Sequence, residues 1–184
     1  MKVRDLTNIA LFAALMGVLG MIPAVPLPFT PVPITLQTVG MFLTGGLLRT
    51  RLAVWSQVLF LLLVAVGLPL LSGGRGGLSV FVGPSAGYIF GFAIVAFCIS
   101  FTFSRIKVLT FKKIFIINLL YGIGLLYCIG IPVQAVVTNI SIIDIAKVSL
   151  VYLPGDLVKL TIASLLVYKL RNSSVIKRQL SKAS

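Results

Sequence analysis

The sequence predicts an all-α membrane protein: six transmembrane helices in one bundle, with both termini on the cytoplasmic side. Three observations carry that prediction. First, 59% of the 184 residues are hydrophobic and only 10% are charged, with a mean hydropathy of +1.14, whereas a soluble domain carries about 25% charged residues. Second, six apolar stretches follow one another along the chain: Leu6–Ile22, Thr35–Leu48, Leu52–Leu71, Pro84–Phe103, Ile114–Val137 and Val148–Leu170. A span needs about 20 residues, so the second is short unless it begins inside the preceding loop, near Val32. Third, thirteen of the sixteen basic residues fall before the first stretch, between the second and third, between the fourth and fifth, and at or beyond the end of the sixth. The positive-inside rule puts those segments in the cytoplasm. Residues 1–184 form a single integral membrane domain, with a basic cytoplasmic tail at about 171–184.

The same counts exclude several function classes. The net charge of +13 is spent at the ends of apolar runs, so no nucleic-acid partner is expected; the lipid bilayer is the partner it fits. There is no histidine, which removes His-based acid–base chemistry and the usual zinc ligand sets. Cys98 and Cys128 both lie in apolar runs and give no disulfide framework. No cofactor, metal or catalytic triad is expected, and no enzyme activity. Lys2 and Arg4 before an apolar run resemble a signal peptide, but the run is long for one and is expected to be retained.

In the first span Ala10 and Ala14 form a small-xxx-small pair, which lets another helix approach closely and gain dispersion contact where lipid offers no hydrophobic drive. They serve either docking or packing within the chain. The first outer loop, Pro23 to Ile34, holds five prolines and no charge. Proline fixes φ and removes a donor, so the loop is extended and stiff, either a lid over the bundle's outer mouth or a rigid connector. Thr35-Leu36-Gln37-Thr38 then brings hydrogen-bonding groups into the second span. The next outer loop carries Gly73-Gly74-Arg75-Gly76-Gly77, which lacks the Lys-Ser/Thr of a phosphate-binding loop. Arg75 meets either an anionic ligand group or lipid phosphate. Gly83, Gly87 and Gly91 smooth one face of the fourth span, for a neighbouring helix or a ligand ring. Ser85 and Tyr88 add hydroxyls at its outer end, and Gln134 adds a polar amide near the outer side of the fifth. Ser141 to Lys147 reads as a short interfacial element with Asp144 and Lys147 solvated.

The last span holds the sharpest anomaly. Asp156 and Lys159 sit three residues apart among Leu, Val, Ile and Ala, close to one helical turn and so on one face. Ionisable groups inside a membrane segment are costly and mark functional sites by default; a mutually neutralised structural pair is the alternative. Pro154 and Gly155 loosen the helix start ahead of them. Gln37, Ser85, Tyr88, Gln134, Asp156 and Lys159 all fall toward the outer leaflet, which describes an outward-facing pocket below a proline-stiffened lid.

Five ordered stretches resemble the BioY family: Phe29-Thr30-Pro31-Val32-Pro33-Ile34-Thr35-Leu36-Gln37-Thr38, Gly67-Leu68-Pro69, Gly73-Gly74-Arg75-Gly76-Gly77, Gly83-Pro84-x-x-Gly87-Tyr88-x-x-Gly91-Phe92 and Leu153-Pro154-Gly155-Asp156-Leu157-Val158-Lys159. These are the biotin-binding S components of energy-coupling-factor transporters. The resemblance implies an S-component-like six-helix bundle in a prokaryotic plasma membrane, biotin as transported ligand, and as partners a transmembrane coupling subunit and two ABC-type ATPases that use the ATP. It also implies docking through Ala10 and Ala14. Within it, Asp156 accepts from the ureido N–H groups, Lys159 donates to the ureido carbonyl, Tyr88 and Phe29 pack on the rings, Gln37 and Ser85 add polar contacts, and Arg75 is the candidate for the carboxylate. The alternatives are an S component for another vitamin, a standalone proton-coupled vitamin transporter, and an intramembrane enzyme using Asp156 and Lys159 as acid and base.

Overall fold

The computed structural model describes residues 2–28 and 30–173; Phe29 and the tail residues Lys177, Arg178 and Lys182 lie outside the described residues. The elements in order are α1 (Val3–Met21), a hairpin of β1 (Val25–Leu27) and β2 (Thr30–Ile34), α2 (Gln37–Leu47), α3 (Thr50–Ala65), α4 (Ala86–Arg105), α5 (Phe111–Leu119), α6 (Leu126–Thr138), α7 (Ile142–Ser149) and α8 (Leu153–Asn172). A π-helical turn, Leu120–Leu125, joins α5 to α6, and a 3-10 turn, Leu150–Tyr152, joins α7 to α8. Among the described residues four helical segments are long and apolar enough to cross a membrane: Val3–Met21, Ala86–Arg105, Phe111–Thr138 and Ile142–Asn172; Thr50–Ala65 is a shorter apolar helix.

One expectation is refined and one open alternative is decided. The protein is predominantly helical rather than all-α, because the proline-rich loop pairs antiparallel, Val25 with Ile34 and Leu27 with Thr30. Prolines at 26, 31 and 33 hold φ in the extended range and deny a helix its donors. For the same reason the second apolar stretch does not start near Val32: α2 has 11 residues, roughly 16 Å at 1.5 Å per residue, about half a bilayer core. The depth that α2 leaves free is filled by the hairpin and by the cavity described below.

Helix α4 is the central post. Tyr88, Ile89, Phe92, Val95, Ala96, Ile99 and Phe103 are buried along it, and it contacts α2, α3 and α6. The smooth glycine face receives a helix: a side chain at Gly87 would meet Val133, the Ile129 carbonyl and Gly130 of α6. Helix α1 packs on α2 and α3, and α8 on α2 and α5. Hydrogen bonds tie the helices where apolar contact alone discriminates poorly. Ser100 Oγ donates to Leu48 O at 2.8 Å, and Arg171 Nε donates to Gly46 O at 2.6 Å. The Arg171 guanidinium also lies 5.2 Å from the Phe103 ring centre. The C-terminal ends of α2, α4 and α8 therefore meet at one basic end, opposite the polar N-terminal ends of the same helices. At the interfacial α7, Ser141 caps Ile143, and Lys147 pairs with Asp144 at 3.3 Å with both side chains more than half exposed, as a solvated pair should be.

Close backbone approach makes one position especially intolerant. A methyl at Gly20 would run into the Leu70 carbonyl and stand 2.7 Å from Gln37 Nε2. The backbone atom cannot swing aside, and overpacking of this kind costs about 1–3 kcal/mol. Gly20→Ala is expected to lower the thermal midpoint in detergent; an unchanged midpoint would mean that α1 slides freely past the loop after α3.

Candidate functional site

One cavity opens between the hairpin and the N-terminal ends of α2, α4 and α8, with an empty volume of about 630 Å³, open solvent at its mouth included. Six of the seven ligand-binding candidates line it: Gln37, Arg75, Ser85, Tyr88, Asp156 and Lys159. The seventh, Phe29, lies outside the described residues. The walls between them are apolar, from Val32, Leu71, Ile89, Phe92 and Leu126. A concave, mostly apolar space with a few convergent polar groups is how small-molecule sites are built.

The polar groups fall into three clusters. In the first, Lys159 Nζ lies 2.5 Å from Asp156 Oδ1, with the side chains only 9% and 15% exposed. Tyr127 donates its hydroxyl to Asp156 Oδ2 at 2.6 Å, and Lys159 donates to the Thr35 carbonyl at 3.0 Å. Pro154 sits in the first turn of α8, where its missing donor is harmless, and the helix then presents both charges to the cavity. A carboxylate has about four lone-pair sites, so Asp156 keeps acceptor capacity after meeting Lys159 and Tyr127.

In the second cluster, Arg75 donates from Nε to Ser72 O and from Nη1 to Ser85 Oγ, both at 3.1 Å. Gly73 and Gly74 adopt φ of +80° and +69°, a left-handed pair that L residues resist. They bring Arg75 back to bridge Leu71. Guanidinium has five N–H donors, so donors remain for an anionic group. In the third, Tyr88 donates to Gln134 Oε1 at 3.4 Å, and Gln134 Nε2 donates to Thr30 Oγ1 at 3.2 Å. The Tyr152 hydroxyl lies 2.8 Å from both Thr30 Oγ1 and Val32 O. This cluster fastens β2 of the hairpin onto the helices.

Gln37 has a narrower role than its polarity suggests. Its Nε2 donates to Met16 O and Leu70 O, at 3.3 and 3.1 Å, which ties α2 to α1 and to the loop after α3. Only its carbonyl is left for other chemistry. Four polar lining residues were not among the ligand-binding candidates from sequence: Thr35, Thr38, Tyr127 and Tyr152. The usable signal for Tyr127 was a phenol inside an apolar run, since a buried hydroxyl seeks a partner. Ala10 and Ala14 are exposed on α1 while Ala13 is buried, so the small pair faces away from the bundle. Among the described residues no group of three or more Cys, Asp or Glu is placed to hold a metal ion.

The fold and the cavity together define a helical, multi-pass membrane protein with one small-molecule site under a hairpin. Residues 1–175 match the BioY family, and the chain belongs to that family. It is 46% identical over 170 residues to the probable biotin transporter BioY of Bacillus subtilis, covering 92% of this chain and 91% of that one. It is 38% identical over 172 residues to the biotin transporter BioY of Rhizobium etli, covering 90% and 92%. Its structure superposes with a TM-score of 0.90, at 34% identity, on the crystal structure of the S-component for biotin from an ECF-type ABC transporter, covering 94% of this chain and 93% of that one.

Proposed function

We propose that this chain is the substrate-binding membrane subunit for biotin uptake, working with an ATP-driven coupling module. The observation that carries the reading is the Asp156–Lys159 pair turned into a mostly apolar cavity. Biotin's ureido ring offers two N–H donors and one carbonyl acceptor. Asp156 retains acceptor sites for the donors, and Lys159 trades its bond to Thr35 for the ureido carbonyl. Arg75, with Ser85, receives the valerate carboxylate, and Tyr88 packs on the ring system beside Gln37, with Phe29 its counterpart from the hairpin. Charge-assisted hydrogen bonds are the stronger kind, and here they are placed at the two ends of the ligand.

The partners in this reading are a transmembrane coupling subunit and two ABC-type ATPases, docked through the exposed Ala10 and Ala14 face of α1. Both termini and the basic end lie in the cytoplasm of a prokaryote, and the hairpin faces outward. Reporter fusions at each loop test the orientation: an external C-terminus would sink it. The functional test is co-purification with labelled biotin, followed by competition with thiamine and riboflavin. Retention of label that unlabelled biotin displaces, and the other two vitamins do not, is the expected result. Displacement by thiamine or riboflavin would reassign the ligand. In liposomes, uptake is expected only with the coupling module and ATP; biotin accumulation by this chain alone, driven by a pH gradient, would favour a proton-coupled transporter.

A further inference from the structure

Two hydrogen bonds tie the α5–α6 run to α8. Low in the bundle, Asn118 Nδ2 donates to Ser164 Oγ at 2.9 Å; at the cavity, Tyr127 donates to Asp156 Oδ2 at 2.6 Å. The two helical runs are antiparallel, so both pairs are satisfied only if the faces stay in step. On α8 the two partners are eight residues apart, a rotation of about 80° and a rise of about 12 Å in an α-helix. Asn118 and Tyr127 are nine residues apart. In an unbroken α-helix that is a rotation of about 180°, which would put the two side chains on opposite faces. Between them lies the π-turn Leu120–Leu125. A π-turn takes up one extra residue, so nine residues advance as eight do and the two faces match again.

We infer that the π-turn is a register device that turns Tyr127 onto the Asp156 carboxylate, and that Tyr127 is thereby a positioning residue of the binding site. The turn is seated by its own sequence. A side chain at Gly122 would overlap the Phe42 ring, whereas one at Gly124 would meet nothing; the inner glycine admits Phe42, and the outer one lies at the exposed edge of the turn. By holding Oδ2, Tyr127 fixes the carboxylate plane and leaves Oδ1 to Lys159. The consequence for ligand affinity rests on reading the cavity as the biotin site; the register itself does not.

The test reads Asp156 directly. The chain has only three acidic residues, all aspartates, so carboxylate infrared bands of the full chain, ¹³C-labelled at aspartate and held in nanodiscs without ligand, are assignable by their loss in Asp156→Asn. Tyr127→Phe is expected to shift the Asp156 band. Deletion of Gly124 converts the π-turn to α-helix and is expected to reproduce that shift. Adding Asn118→Leu to the deletion frees the lower half of the helix to rotate instead, and should return the band to the wild-type position. If the single deletion does not fold, Tyr127→Phe and the double variant are read in the same way. An unmoved band in Tyr127→Phe, a wild-type band in the deletion, or no recovery with Asn118→Leu would overturn the inference. Biotin affinity in Tyr127→Phe should fall by about tenfold, for the loss of one hydrogen bond to a charged group. A wild-type protein that does not bind biotin would remove the functional reading while leaving the band shifts to stand or fall alone.

Discussion

Lys159→Ala and Asp156→Asn each weaken biotin binding by roughly thirtyfold to several thousandfold, while the protein still inserts. The range follows from about 2–5 kcal/mol lost when one partner of a buried, hydrogen-bonded charge pair is truncated. In Lys159→Ala the carboxylate keeps only the Tyr127 hydroxyl. In Asp156→Asn the ammonium keeps the Thr35 carbonyl and a neutral amide oxygen but loses its counter-charge. Both side chains are largely buried, 9% and 15% exposed, and breaking a buried pair also destabilises the fold, by about 3–5 kcal/mol. The double variant Asp156→Asn/Lys159→Met separates the two effects. It removes both charges of the pair and leaves neither partner unpaired, so it should be more stable than either single variant, yet it should bind biotin no better. Calorimetry in detergent gives the affinities and thermal unfolding the stabilities. Wild-type affinity in either single variant would remove the pair from the ligand, and a double variant less stable than both singles would contradict its electrostatic basis.

This pair was legible in the sequence because its signal is local: two ionisable residues one turn apart in an apolar helix need no knowledge of the rest of the chain. The apolar stretches were legible for the same reason, and four of them appear as helical segments long enough to cross a bilayer. The bounds of α2 were not. Val32, Ile34 and Leu36 suit an early start of the span as well as a strand, and only the pairing of Thr30–Ile34 with Val25–Leu27 decides that Val32 and Ile34 belong to a strand. Gly83, Gly87 and Gly91 left two occupants open, and at Gly87 and Gly91 it proved to be α6, while Gly83 lies before α4 against Ser79 and Val80. Tyr127 was illegible as a neighbour of Asp156, because ordinary helical counting from Asn118 puts it on the wrong face. The partners of Thr30, Gln134 and Tyr152, lie 104 and 122 residues away. No local pattern reaches so far, and the hairpin's attachment became visible only in three dimensions.

That attachment makes Thr30→Val the sharpest test of the hairpin as a lid. Tyr152 has one proton, and the Val32 carbonyl can only accept, so Tyr152 donates to Val32 O and takes the Thr30 hydroxyl proton on its own oxygen. Thr30 Oγ1 then receives Gln134 Nε2 at 3.2 Å and the Val32 amide at 3.3 Å. Every group in the cluster is satisfied by this one assignment. Valine keeps the shape of threonine and removes its oxygen, which leaves the Gln134 amide, the Val32 amide and the Tyr152 oxygen each short of a partner. With neighbours and water making up part of the loss, the closed state is raised by about 1–3 kcal/mol, the cost of one unsatisfied buried group. Opening of the hairpin therefore becomes easier, and the amides of β1 and β2 should exchange with solvent roughly 5–150 times faster in the ligand-free protein. Biotin should leave faster by a comparable factor while its association rate changes little, because a lid that is held shut acts mainly on escape. Thr30→Ser separates the bond from the methyl group: it retains the hydroxyl and should stay close to wild type in both measurements. If valine and serine exchange alike, the hydroxyl does not hold the hairpin. If valine speeds exchange but leaves dissociation unchanged, the hairpin opens without releasing the ligand, and it is not the lid that sets escape.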